Sequence, residues 1–142
     1  MIDKNRYQIE ILKQMLSGHC FMKRVPVSDS EIGFTDGYDI VILPTKDLKI
    51  RYETLPEIKY DMSDAFKDHP MVKDTRVRKK DNYVLAKLKS KDGGVVSICQ
   101  EKFVRKFTGC EFFTDGGTAP VYAKGSLGNL RGMFLPVRGE EF

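Results

Sequence analysis

The stretch Ile32-Gly33-Phe34-Thr35-Asp36-Gly37-Tyr38-Asp39-Ile40-Val41-Ile42-Leu43 is the clearest strand signal in this chain of 142 residues. Apolar and β-branched residues fill both ends and Asp36-Gly37 interrupts them, so the segment reads as extended chain folded once on itself. Pro44 closes it. Working backwards, Pro26 to Ser30 reads as a turn and Cys20 to Val25 as a short strand. Before that strand, Tyr7, Ile11 and Met15, with Leu12 and Leu16 beside them, recur at helical spacing behind Asp3 as N-cap, until Gly18 stops the run. Lys4, Lys13 and Gln14 are left for the other face of this helix.

Forward of Pro44, Leu48 to Tyr52 reads as a further strand. Glu53 to Pro70 is acidic, proline-bounded and weakly patterned, which marks a connector with one helical turn near Ser63 to Lys67. A second half then begins with strand candidates Thr75 to Arg78 and Tyr83 to Lys89, the latter alternating Val84, Ala86 and Leu88 against Tyr83, Lys87 and Lys89. Lys91-Asp92-Gly93-Gly94 is a hairpin turn, since adjacent glycines accept positive φ, and Val95 to Ile98 completes that hairpin. A short helix from about Cys99 to Phe107 carries Phe103, Val104 and Phe107 on one face and Lys102, Arg105 and Lys106 on another, with Gly109 as its stop. Cys110 to Thr114, Ala119 to Ala123 and Leu130 to Val137 are the last strands, separated by Asp115-Gly116-Gly117 and Gly125 to Asn129. The chain therefore reads as one α+β domain over residues 1–142. Its halves, roughly 1–52 and 73–138, are pseudo-repeated, each with one helix packed on antiparallel strands, and residues 53–72 connect them.

Hydrophobic residues at 41% and charged residues at 31% allow a folded core and exclude wholesale disorder. No run approaches the roughly 20 apolar residues that span a bilayer, and Met1 to Arg6 is charged where a secretory signal needs an apolar run. The expectation is a cytoplasmic chain without a membrane partner. Cys20, Cys99 and Cys110 are an odd number without C-x-x-C spacing, which reads as small buried residues rather than a disulfide framework or zinc site, and no metal or cofactor is expected. The net charge of +4 is uneven: Lys73 to Asp92 holds eight basic and three acidic residues, leaving the remainder near −1. Such a segment attracts a polyanion by counterion release, and the same composition suits a lysine-rich outer strand face that discourages edge pairing.

The element order resembles one domain of the DNA polymerase sliding clamps, and two motifs resemble the bacterial polymerase III beta clamp in particular. Thr35-Asp36-Gly37-Tyr38, behind the apolar Ile32 to Phe34, is similar to that family's Thr-Asp-Gly-His strand, although Asp39 stands where the family carries a basic residue. Gly132-Met133-Phe134-Leu135-Pro136-Val137-Arg138 is similar to the apolar strand, ending in Met-Pro-Met-Arg or Leu-Pro-Val-Arg, that closes the family's chain. The resemblance implies a DNA-clamp-like fold and a shallow apolar pocket for short peptides from polymerases and other clamp-binding proteins. Thr35, Gly37 and Tyr38 would form one wall, and Leu135, Pro136, Val137 and Arg138 the other. The chemistry suits the role: a glycine admits a peptide close to the backbone, Leu135 and Val137 receive apolar anchors, and Arg138 fixes a carboxylate or carbonyl. The family's helices face DNA, so Lys4, Arg6 and Lys13 from the first helix and Lys102, Arg105 and Lys106 from the second are the phosphate-facing candidates, meeting duplex DNA without reading bases. A family chain holds three such domains, so a ring built from this one requires a homo-oligomer.

Two functional expectations follow, ahead of a third, a basic α+β nucleic-acid-binding protein using Arg76 to Lys91, which has few interleaved aromatics beyond Tyr83 to stack on single-stranded bases. The first is a processivity or partner-recruitment module of DNA replication that acts by self-assembly and peptide binding. The second is a small interaction protein, of phage or other mobile-element origin, that keeps the clamp-like fold without encircling DNA. Neither is an enzyme. His19 and His69 are the only histidines and neither lies at ligand spacing; a Cys-His nucleophile pair is assembled in space and stays open at this level. Glu57-Ile58-Lys59, with Asp47 upstream, faintly resembles the acidic and lysine set of metal-dependent nucleases, but it falls in the connector. Gly125 to Gly132 lacks the Gly-Lys-Ser/Thr ending of a phosphate loop and reads as a hairpin.

Overall fold

A computed structural model describes residues 2–138. The hairpin at 32–43 forms as its chemistry dictates, as β2 (Glu31–Thr35) and β3 (Asp39–Pro44), with Thr35 facing Ile40 and Ile32 facing Leu43. Its turn is held by side chains: Thr35 Oγ1 accepts from the Gly37 N–H at 3.0 Å and Asp36 Oδ1 from the Tyr38 N–H at 3.0 Å. Gly37 sits at φ 101°, a conformation that disfavours any residue with a Cβ.

Helix α1 (Lys4–Ser17) begins where Asp3 accepts from the Asn5 and Arg6 N–H groups at 3.1 Å and ends at Gly18 in the left-handed region. It is followed by β1 (Lys23–Pro26), then by β2 and β3. After the connector come β4 (Met71–Lys80), β5 (Tyr83–Lys89), β6 (Val96–Gln100), α2 (Glu101–Lys106), β7 (Glu111–Phe113), β8 (Val121–Lys124) and β9 (Leu130–Phe134). The fold is α+β, with one antiparallel sheet of nine strands in the order β1-β2-β3-β9-β8-β7-β4-β5-β6. Each helix thus leads into a three-strand meander, and the two meanders meet through their last strands, with Asp39 opposite Phe134 and Val41 opposite Gly132.

Strand alternation explains the layering. Val41 and Leu43 join Phe34, Phe134, Ile11 of α1 and Phe103 and Phe107 of α2 in one core, while Ile40 and Ile42 project to the reverse face and meet Tyr122, Met133, Met62 and Ala65. Phe134 is the hub of the helix side, stacked 5.4 Å from Phe103 and packed edge-on 6.0 Å from Phe112. Met62 and Ala65 come from the expected connector. Its helical turn forms as a 3-10 turn at Ser63–Phe66, and the segment covers the second sheet face.

Several boundaries differ from expectation, β1 starting at Lys23 rather than Cys20 and β9 ending at Phe134 rather than Val137 among them, and three others have an identifiable cause. Leu48 to Tyr52 forms no strand, because the Lys49 N–H donates to the buried Gln8 Oε1 at 2.7 Å while Gln8 Nε2 donates to the Asp47 carbonyl at 2.9 Å. The backbone that a strand would pair is tied to α1 instead. β6 runs on to Gln100 because Cys99 pairs with Ala86, so α2 starts only at Glu101. Finally, β4 begins at Met71, where it pairs with β7 before turning to β5 from Lys73 onward.

The outer edges of the two terminal strands are met by the chain itself, whereas β4 beyond Val72 is paired on its β5 side only. On β1 the Arg24 N–H donates to the Pro56 carbonyl and the Arg24 carbonyl accepts from Ile58, each at 2.9 Å; on β6 the Val96 and Ile98 carbonyls accept from Gly117 at 3.1 Å and Val137 at 2.8 Å. Among the described residues no helix is long and apolar enough to cross a membrane.

Candidate functional site

Past β9 the Leu135 N–H donates to the Tyr38 carbonyl at 3.2 Å, which sets the C-terminal segment against the β2–β3 turn. Around this junction lies a cavity of about 500 Å³, within the range of roughly 300–1,000 Å³ typical of ligand sites. Its apolar walls are Phe21, Tyr38, Ile40, Ile58, Tyr60 and Leu135. Phe21 at 76% and Tyr38 at 66% exposure are left in water by the fold, grouped at the cavity rim.

Thr35, Gly37, Tyr38 and Leu135 all line the cavity. Pro136, Val137 and Arg138 do not: the chain leaves the cavity after Leu135, and the Val137 N–H is spent on the Ile98 carbonyl of β6. The second wall comes instead from residues that the sequence reading passed over, Cys20 to Met22 ahead of β1 with Lys23 at its start, and Pro56, Ile58 and Tyr60 of the connector. A signal for the connector wall exists, since Pro56, Ile58 and Tyr60 are spaced two apart as in a strand, and Arg24 and Glu57 do form a parallel bridge there.

The cavity also borders a buried charge. Asp39 is nearly inaccessible and takes a hydrogen bond from Lys106 at 2.5 Å. Burial pushes its carboxyl above the usual range; Lys106 pulls it back and Asp36 adds to the push. Lys106 therefore does not face outward with the other helix cations. Of the remaining five, Lys4 is paired with Asp47 at 2.8 Å, Arg105 with Glu101 at 2.9 Å, and Lys102 lies over the Phe103 ring at 5.1 Å. Arg6 and Lys13 are exposed on α1, but they share its outer surface with the apolar stripe Ile9, Leu12 and Leu16, the last 79% exposed.

Two of the groups left open for nucleophilic chemistry are engaged or buried. His69 is bound on both ring nitrogens, by Asp115 at 3.0 Å and by the Asp64 carbonyl at 2.6 Å. Burial pushes the Cys99 thiol up to about 12, which removes the thiolate at neutral pH. Among the described residues no three His, Cys, Asp or Glu side chains are grouped to hold a metal ion. No known protein family, curated protein or solved structure matches the chain.

Proposed function

We propose that this chain is a non-enzymatic partner-recruitment module of clamp-like architecture, which captures a short apolar peptide segment of another protein in the Tyr38–Leu135 cavity. One observation carries the reading: two segments 97 positions apart, each resembling a half of the clamp family's peptide pocket, are joined by the hydrogen bond from Leu135 to Tyr38 beside a preformed apolar cavity. The repeated order of helix and three-strand meander, with the last strands paired, supports the clamp-like, pseudo-repeated architecture. An aromatic-rimmed cavity of this size suits two apolar anchor side chains of an extended peptide, and binding to a preformed site avoids the cost of ordering it.

Between the ring and the free-standing form, the sheet edges favour the second. A ring that continues its sheet from subunit to subunit needs unpaired edge groups, and here Arg24, Val96 and Ile98 are already engaged within the chain. The DNA-encircling homo-oligomer is the second reading, supported by Arg6, Lys13 and Lys102 and by the apolar stripe of α1 as an assembly surface.

Fluorescence anisotropy with labelled peptides bearing Leu and Phe anchors, against matched peptides with serine at both anchors, tests the proposal. The anchored peptide should bind, and Tyr38→Glu and Leu135→Glu should each weaken it at least tenfold while thermal melting stays unchanged. Equal binding by wild type and both folded variants would sink it. Sedimentation with and without duplex DNA separates the two forms, the free-standing module remaining a monomer in both.

A further inference from the structure

The bulge in β4 assembles charge on the face of the sheet turned away from α2. Asp74 stands opposite Leu88 and Arg76 opposite Lys87, so Thr75 is an extra residue without a partner in β5. In a regular strand Lys73 and Arg76, three positions apart, would point to opposite faces. The inserted residue brings them to the same one, with Lys73 opposite Lys89 and Arg76 opposite Lys87. Local bonds fix this arrangement: Thr75 Oγ1 donates to the Lys87 carbonyl at 3.0 Å, and the Asp74 carboxylate accepts from the Arg76 N–H. Ala86 and Leu88 of β5 fill the core with Phe103 and Phe107 of α2, which leaves Lys87 and Lys89 for the reverse side.

These side chains, with Lys91 from the hairpin turn, line a groove of about 870 Å³. Its one carboxylate, Asp92, is engaged by Ser90 Oγ at 2.6 Å and the Gly94 N–H at 2.9 Å. Among the described residues no carboxylate pairs with Lys73, Lys87, Lys89 or Lys91. Like charges placed directly opposite each other, as Lys73 and Lys89 are, destabilise a strand pair, and a bound anion offsets that cost.

We propose that this groove binds the phosphodiester backbone of single-stranded nucleic acid, independently of the peptide cavity. Along β5, Lys87 and Lys89 are spaced by two residues, about 6.8 Å, comparable to the separation of successive phosphates on an extended strand. Across the hairpin the Cβ atoms of opposed residues stand roughly 5 Å apart, whereas the backbones flanking a duplex major groove are roughly 12 Å apart. Both columns therefore reach one strand, and neither is placed for the second strand of a duplex. Lysine ammoniums act as point charges, so the contacts are independent of sequence. An acidic peptide in extended form docks by adding to a free sheet edge, whereas Lys87 and Lys89 project from the face of β5, which is paired on both sides.

Anisotropy of a labelled short oligo-dT, titrated with salt, tests the site. Four neutralised phosphates predict a slope of log K on log salt of about −3. The Lys87→Glu, Lys89→Glu double variant should lose at least tenfold in affinity with its melting temperature equal to or above wild type, and Tyr38→Glu should bind oligo-dT as wild type does. The proposal is overturned if the double variant binds equally well, if a duplex of the same length binds more tightly, if polyglutamate competes as effectively as oligo-dT, or if reversing Arg6 and Lys13 removes the binding instead.

Discussion

Lys106 at the end of α2 donates to the carboxylate of Asp39, the first residue of β3, across 67 positions of sequence. The two ends of this pair are unequally buried: the Asp39 side chain is 2% exposed and the Lys106 side chain 32%. Removing the ammonium therefore strands a charge that water cannot reach, while removing the carboxylate leaves an ammonium that can turn outward. Lys106→Met should cost about 3–5 kcal/mol and Asp39→Asn about 1 kcal/mol or less, read from urea denaturation. Burial holds the native Asp39 carboxyl above its unfolded value of about 3.9, so the native state keeps that proton longer. The stability of wild type relative to Asp39→Asn should accordingly fall as pH rises from about 4 through the raised native value. Equal costs for the two substitutions would show that the pair is solvated.

Two glycines, Gly37 in the cavity wall and Gly132 in β9, are required for different reasons. A Cβ on Gly132 would run into the Ile40 carbonyl oxygen and come within 2.5 Å of the Phe107 ring, and the first of these is backbone that cannot yield. A Cβ on Gly37 meets nothing within 4 Å, but it must adopt φ 101°. Gly132→Ala should cost about 3 kcal/mol or prevent folding, whereas Gly37→Ala should fold with a loss of roughly 1–2 kcal/mol. Thermal melts of both variants check the contrast, and a Gly132→Ala protein as stable as wild type would contradict the β3–β9 packing.

His69 joins the 3-10 turn of the connector to the β7–β8 loop. Its two nitrogens face two oxygens, the Asp64 carbonyl and the Asp115 carboxylate, and only the protonated ring donates to both. Burial alone would lower its pKa; the Asp64 and Asp115 hydrogen bonds outweigh burial and raise it above the ordinary value, with Lys124 opposing and the Tyr122 ring stacked 4.8 Å away. The stabilisation is fully present below the unfolded value of about 6.5 and disappears as pH rises through the higher native value. Wild type should thus lose stability over that window while His69→Gln shows a flatter profile, and an NMR titration of His69 should place its midpoint above 6.5. A midpoint below 6.5 would refute the bidentate arrangement.

Much of this architecture is readable where the signal is local. Asp3 and Gly18 bound α1 through bonds to residues within a few positions, and Asp36-Gly37 specifies its own turn. The failures share one cause. Lys49 belongs to a plausible strand until Gln8, 41 positions away, takes its N–H. Lys106 looks like any cation on an amphipathic helix until Asp39 is placed beneath it. Ile58 and Tyr60 acquire a role only because Arg24 binds the backbone on either side of Glu57. The cavity was legible from its turn and from Leu135, while the two-residue spacing of Pro56, Ile58 and Tyr60 marks an extended segment without specifying that Arg24 is its partner.

The three cysteines offer a direct probe of that cavity. Cys20 lines it. Cys99 is fully buried with its thiol pushed up to about 12, and burial also pushes up the Cys110 thiol. Because alkylation requires an accessible thiolate, iodoacetamide should modify Cys20 first, with Cys110 slower and Cys99 inert until the protein unfolds. A peptide seated between Phe21, Tyr38 and Leu135 shields Cys20 without touching Cys110, so saturating anchored peptide should slow Cys20 modification at least tenfold and leave Cys110 unchanged. Peptide mapping by mass spectrometry reads both sites in one experiment. If the peptide binds but the Cys20 rate does not change, it occupies another surface, and the assignment of the cavity fails even though the binding is real.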